Sequence, residues 1–153
     1  MCFPLLGKAQ SLQVCPQCPI STIAQAVAIA KKGDTIEVQK GTYPENNILL
    51  DKPLTLIGKG MPVINGQFKG SILKIQADSV TIKGFRLANV PFKATEEQAA
   101  ILLDKSKKFL IEDNIMDQVC FGVLLRKGRD GIIRNNKISS NAKEQYNSGN
   151  AIH

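Results

Sequence analysis

The chain has 153 residues, 43% of them hydrophobic, which is enough for one domain with a closed core. Aromatic residues are 5% and tryptophan is absent, so the core must rest on Ile, Leu and Val; no apolar run reaches the roughly 18 residues of a membrane-spanning helix. The net charge is +7, from 20 Lys and Arg against 13 Asp and Glu, but no aromatic–basic interleaving of the RNA-reading kind accompanies it, which argues against nucleic acid as a partner.

Residues 1–11 read as the remnant of a secretory signal. Met1-Cys2-Phe3-Pro4-Leu5-Leu6 is apolar, and Ala9-Gln10-Ser11 offers small residues at a spacing a signal peptidase accepts. Residues 12–153 then form the domain, beginning with Cys15-Pro16-Gln17-Cys18. Over about residues 21–32 the period becomes helical: Ile23, Ala24, Ala26, Val27, Ile29 and Ala30 share one face. Ser21 or Thr22 can cap the start, Lys31 and Lys32 suit the end, and Gly33 stops it.

Strand signals follow. Asp34-Thr35-Ile36-Glu37-Val38-Gln39 alternates polar and apolar residues, and Lys40-Gly41-Thr42-Tyr43-Pro44-Glu45 is a turn leading into an extended segment. Ile48-Leu49-Leu50 and Pro53-Leu54-Thr55-Leu56-Ile57-Gly58 are further strands. The second of these opens a repeat. Leu54–Gly58 aligns with Val80-Thr81-Ile82-Lys83-Gly84, and residues 80–87 align with 109–116 and again with 131–138. Between these lie Ile72-Leu73-Lys74-Ile75, Ile101-Leu102-Leu103 and Val123-Leu124-Leu125, each followed by a polar corner. A strand-sized unit recurring at 20 to 30 residues is the signature of a solenoid whose turns lie on one another. The fold class this implies is all-β: a right-handed parallel β-helix with a short N-terminal capping helix. Gly149–His153 resembles the start of one more strand, so the sequence reads as the N-terminal part of a longer solenoid.

Within the repeat, Asn114 and Asn136 share a register, as stacked side chains that satisfy corner backbone would. Gly84, Asp113 and Asn135 share the position before, which suits a left-handed backbone. Extra length falls at Pro91–Gln98 and Asn141–Ser148, expected as loops on one edge. The densest positive clusters, Lys31-Lys32 and Lys105-Ser106-Lys107-Lys108, read as solvated outer faces.

Thr22–Ala30, Gly33-Asp34-Thr35-Ile36 and Gly41-Thr42-Tyr43-Pro44-Glu45 together resemble the opening of pectin-lyase-like parallel β-helices. Asn46–Lys59, Gly131–Asn141 and Asn147–His153 carry a narrower resemblance, to the NosD family of periplasmic accessory proteins of nitrous oxide reductase maturation, within the carbohydrate-binding and sugar-hydrolase repeat class. That resemblance implies a non-catalytic, periplasmic protein. It would work with the membrane and ATPase subunits of an ABC transporter and with nitrous oxide reductase, helping to assemble the copper–sulfur centre. A polysaccharide-acting β-helix (lyase, hydrolase or epimerase) with an anionic glycan as partner, and an adhesin-like solenoid, are the alternatives.

Cys15 and Cys18 are the compact soft-ligand pair. They can close as a disulfide, contact a soft metal such as Cu(I), or exchange disulfides; copper is the cofactor the resemblance raises. No second CxxC or nearby His completes a four-ligand set. Cys120 and Met116 fall on core positions, Met61 lies apart from them, and His153 falls on an outward one. Of the carboxylates a sugar-cleaving enzyme would need, Asp104, Glu112 and Asp113 are the nearest candidates. The outer face at Glu112 changes sign from Lys83 to Arg134, and no carboxylate pair recurs on adjacent coils.

Overall fold

Short β-branched runs broken by polar corners leave the chain one economical way to bury its Ile, Leu and Val. Each run pairs with the equivalent run one coil away. The computed structural model, which describes residues 8–93, 96–140 and 152–153, shows this arrangement. Its elements in order are β1 (Ser11–Val14), α1 (Ile23–Ile29), β2 (Thr35–Val38), β3 (Thr42–Pro44), β4 (Ile48–Leu50), β5 (Thr55–Gly58), β6 (Val63–Asn65) and β7 (Leu73–Ile75). They continue with β8 (Thr81–Lys83), β9 (Arg86–Ala88), β10 (Ala99–Asp104), β11 (Leu110–Glu112), β12 (Ile115–Asp117), β13 (Phe121–Arg126), β14 (Ile132–Arg134) and β15 (Lys137–Ile138).

Among the described residues the strands form three parallel sheets. The first has the order β1-β2-β5-β8-β11-β14, the second β3-β6-β9-β12-β15, and the third β4-β7-β10-β13. From β4 onward the chain visits the third sheet, the first and the second in turn, then steps up one coil. This is the parallel β-helix the repeat implies. The register is the one read from sequence: Leu110 pairs with Thr81 and with Ile132, and Thr55 pairs with Thr81. Val123 also bridges in parallel to Ile152, so the last described residues do begin another strand of the third sheet.

Inward side chains stack in columns. Ile36, Leu56, Ile82 and Ile111 form one, Ile64, Leu87 and Met116 another, and Leu50, Ile75 and Leu103 a third, all fully buried. Each such side chain contributes about 1.5–3 kcal/mol of burial free energy. Because adjacent coils sit about 4.8 Å apart, each residue packs chiefly on its equivalents above and below. Helix α1 precedes the first strand of the third sheet and packs against β4, β1 and β2. It buries Ile23, Ala26 and Val27 and so closes the end of the core.

The helix is shorter than its apolar periodicity implies. Thr22 caps it, accepting the Gln25 N–H at 3.1 Å while the Gln25 side chain returns to the Thr22 N–H at 3.3 Å. At its other end Ala30 is already extended, and the Lys31 N–H donates to Asp34 Oδ2 at 2.8 Å. A side chain outside the helix captures the amide that would have continued it. Lys31 and Lys32 therefore lie beyond the helix end, and Gly33, at φ +88°, serves the turn into β2.

The corner between the first and second sheets explains the repeated Asn. Gly84, Asp113 and Asn135 all have left-handed backbone, with φ of 82°, 58° and 55°. One residue on, Asn114 Oδ1 accepts the Phe85 N–H at 3.0 Å and its amide donates to the Ile82 carbonyl at 3.1 Å. Asn136 repeats the second contact, donating to the Ile111 carbonyl at 2.9 Å, and its Oδ1 accepts from the Asn114 backbone and side-chain amides. The side chains form a ladder that satisfies corner backbone which sheet pairing cannot reach.

Candidate functional site

The cysteine pair lies in the loop between β1 and α1. The Cys18 N–H donates to the Cys15 carbonyl at 3.1 Å, and the structure joins the two sulfurs in a disulfide with Cα atoms 5.0 Å apart. Pro16 between them stands against Gly41, where a Cβ would come within 3.1 Å of its Cγ. The loop is thus folded onto the corner leading into β3. The thiolate is the form of cysteine that binds a metal, so the oxidised pair offers no strong ligand.

The other soft donors are dispersed. Cys120 is free and buried, and that burial pushes its thiol above the ordinary range. Met116 lies in the core, Met61 is exposed, and the His153 ring lies 5.4 Å from the Phe121 ring. Among the described residues no three His, Cys, Asp or Glu side chains gather as a metal site would require. The donor set therefore does not fit a resident copper ion within these residues.

The residues of the two quoted motifs turn out to be fold devices. The carboxylate of Asp34 accepts backbone N–H groups from Gln10 at 2.8 Å and Lys31 at 2.8 Å, and these hydrogen bonds hold its pKa below the ordinary value. Glu45 reaches the start of α1, where its two oxygens accept the Ile23 and Ala24 N–H groups at 2.9 and 3.0 Å. This satisfies two of the amides a helix start leaves unpaired. The Tyr43 ring is buried and its hydroxyl donates to the Gln39 carbonyl at 2.7 Å.

Two of the candidate acids, Glu112 and Asp113, are engaged as well. Glu112 is buried on the outer side of the first sheet between cations of the coils on either side, with Lys83 at 3.3 Å and Arg134 at 2.7 Å. Its hydrogen bonds to Arg134 and then Lys83 hold its pKa below the ordinary value. A general acid must carry a proton near working pH, and Glu112 is set against that. Asp113 stands 3.7 Å from Lys83, and Asp104 is paired in register with Arg126. The structure brings Glu112 and Asp113 to one cation and leaves Asp104 on a different sheet.

Sequence reading missed a cleft of about 330 Å³ on the outer side of the third sheet. Lys74 and Leu102 form its floor, Asn47 and Ser71 one side, and Glu96, Glu97, Gln98 and Arg126 the other. Ser71 Oγ accepts the Ala99 N–H at 3.0 Å, Glu97 pairs with Arg126, and the buried Gln98 Oε1 has no hydrogen-bond partner among the described residues. Amides, a hydroxyl and charges of both signs suit a small polar molecule. The one signal for it was the loop at Pro91–Gln98; the other expected loop, Asn141–Ser148, lies outside the described residues.

Comparison with known proteins assigns a family. Residues 27–152 match the family described as "Periplasmic copper-binding protein (NosD)". The chain is also similar to the "Probable ABC transporter binding protein NosD" of Pseudomonas aeruginosa, with 29% identity over 109 residues. That alignment covers 70% of this chain and 26% of the relative, so the chain spans about a quarter of the curated relative it matches. No solved structure matches.

Proposed function

Because the chain belongs to the NosD family of periplasmic copper-binding proteins, we propose that it is an accessory scaffold in copper-enzyme maturation, acting beside an ABC transporter in assembly of the copper–sulfur centre of nitrous oxide reductase. The observation that carries this reading is the extent of the family match. It runs from within α1 through every later coil, so the β-helix from its cap onward is the family's module rather than a shared corner motif. The relative's printed name, a transporter-binding protein, supports the transporter as partner. A secretory signal ahead of strand β1 would deliver the protein to the periplasm.

The chemistry of these side chains suits a scaffold better than a ligand cage. The compact soft pair, Cys15 and Cys18, is closed on itself. The solenoid presents long rows of outward side chains on a backbone fixed by ladders, which is what a protein needs to hold two partners in register. We place the work in surface contacts, with copper as cargo of the assembly.

The test is a strain lacking the gene, complemented with the wild-type protein. Purified nitrous oxide reductase from the deletion strain is expected to lack its copper–sulfur centre by absorption and electron paramagnetic resonance while its polypeptide accumulates normally. A fully loaded reductase in that strain would overturn the proposal. The polysaccharide reading has one observation behind it, the polar cleft on the third sheet. Calorimetric titration with oligouronides is expected to show no heat of binding, and saturable binding lost in Lys74→Ala would favour that reading instead.

A further inference from the structure

On two of the sheets, outward charges of opposite sign meet across neighbouring coils. Lys83, Glu112 and Arg134 stack as plus, minus, plus on the first sheet, and Arg86 pairs with Asp117 on the second. The corners between the third and first sheets break this rule in two consecutive coils. Lys107 bridges in register to Arg129, and the same offset sets Lys105 over Lys127. All four side chains are exposed, and none forms an ion pair among the described residues. Like charges stacked one strand spacing apart are destabilising, so this pair of coils carries a local electrostatic cost that no ion pair among the described residues offsets.

The backbone beneath these cations is held tightly. The Lys105 N–H donates to the Arg126 carbonyl at 2.8 Å, Lys108 to Arg129 at 3.2 Å, and Arg129 to Ser106 at 3.1 Å. Ser106 is fully buried and its hydroxyl donates to the Ile75 carbonyl at 3.1 Å, while the Lys107 N–H donates to Asp78 Oδ1 at 2.9 Å. Lys105 and Lys127 also adopt left-handed backbone, both at φ 56°, where Gly or Asn is the usual residue. A lysine at such a position, twice in register, goes against both local backbone preference and local electrostatics. Such paired violations are expected where a site serves something outside the fold.

We propose that this basic edge, centred on Lys105, Lys107, Lys127 and Arg129, is a membrane-facing surface that binds the phosphate headgroups of anionic lipid. Three features favour a lipid surface over an anionic glycan or an acidic protein. The edge sets four exposed cations on two neighbouring coils, and so fits an extended surface rather than a single threaded chain. Its one aromatic, Phe109, is buried, which leaves nothing for a sugar ring to stack on. Three of the four cations are lysines, mobile point charges suited to a fluid array of phosphates rather than to bidentate pairing. The proposal does not rest on the transporter reading, and either can fail alone.

The experiment is sedimentation of the full chain with vesicles of mixed phosphatidylglycerol and phosphatidylcholine, and with phosphatidylcholine alone, at low and physiological salt. Two variants accompany the wild type. One replaces the edge (Lys105→Asn, Lys107→Gln, Lys127→Asn, Arg129→Gln). The other removes the same charge elsewhere (Lys59→Gln, Lys69→Gln, Lys93→Gln, Lys137→Gln), and circular dichroism establishes that both are folded. Each cation at an anionic surface is worth about fivefold in partitioning. The edge variant is therefore expected to lose binding to anionic vesicles by roughly six-hundredfold, while the control variant loses little and added salt weakens the wild type. Equal binding to neutral vesicles, equal loss in both variants, or binding to soluble polygalacturonate with none to vesicles would each overturn the proposal.

Discussion

Asn114→Ala tests the corner ladder most directly. The side chain accepts the Phe85 N–H at 3.0 Å, donates to the Ile82 carbonyl at 3.1 Å and donates to Asn136 Oδ1 at 3.1 Å. Phe85 and Ile82 are fully buried, so truncation leaves one donor and one acceptor that water cannot reach. An orphaned buried group costs about 1–3 kcal/mol, and two orphans set the expected loss at about 3 kcal/mol, a large part of the roughly 5–15 kcal/mol that holds a domain folded. Asn136→Ala removes the same kind of contact from a half-buried site, where solvent can replace it, and is expected to cost about 1 kcal/mol. Equilibrium urea unfolding followed by circular dichroism gives both values. A double-mutant cycle should then return a coupling of about 0.5–1.5 kcal/mol between the two side chains. If Asn114→Ala lies within about 0.5 kcal/mol of wild type, or matches Asn136→Ala, the ladder does not bear on stability and the reasoning fails.

Three further outcomes follow from the same geometry. Asp34 and Glu112 are held below their ordinary values of 3.8 and 4.5, so the unfolded chain takes up their protons first. Their contribution is complete above pH 4.5 and is lost as the pH falls through the lower folded values. The urea midpoint should be flat above that pH and drop below it, with a shallower drop in Asp34→Asn; an identical profile in that variant would remove the assignment. In Gly58→Ala the new Cβ would lie 2.3 Å from the Gly84 carbonyl oxygen of the next coil, which must move. We expect a loss of about 3 kcal/mol, measured in the same urea assay, and an unchanged midpoint would mean the coils are looser than described. For Cys15 and Cys18, Cu(I) titration with a competing chelator should show no binding to the oxidised protein and a single site after reduction. That site should vanish in Cys15→Ser/Cys18→Ser, and tight binding to the oxidised form would place copper elsewhere on the chain.

The coils were legible because a solenoid repeats its own environment: Leu56, Ile82 and Ile111 meet the same neighbours and are the same kind of residue. The same holds for the Asn ladder, since one hydrogen-bonding problem recurs at each corner. What repeats at no other coil was harder to read. The helix looked longer than it is because the feature that ends it, the Asp34 carboxylate on the Lys31 N–H, is a side-chain contact that periodicity cannot register. Strand β1 was hidden because four residues carry too little alternation; only their pairing with Thr35–Val38 defines them. Gln10 and Ser11, placed by sequence in the signal remnant, already join this first rung, while residues 1–7 lie outside the described residues. The third-sheet cleft takes residues from four coils and could not be assembled without the register.

The distribution of coil lengths connects the fold to where function can reside. Five residues separate β7 from β8, β10 from β11 and β13 from β14, and four separate β4 from β5, so the corners from the third sheet to the first hardly vary in size. The opposite corner, from the second sheet to the third, has three, seven, ten and three residues in successive coils. All the large variation is thus confined to one edge, where it builds the walls of the polar cleft from Glu96, Glu97 and Gln98. At the constant edge, residues of one coil fall directly over those of the next, so any charge repeated there becomes a row rather than a scatter. Asp34, Tyr43 and Glu45, which carry the resemblance to other β-helices, serve folding at the capped end and are used up there. Recognition of partners has to come from the outward rows that folding leaves free. The uniform basic edge is the row that folding alone would not have produced, because stacking Lys107 on Arg129 works against the stability of the coils that hold them.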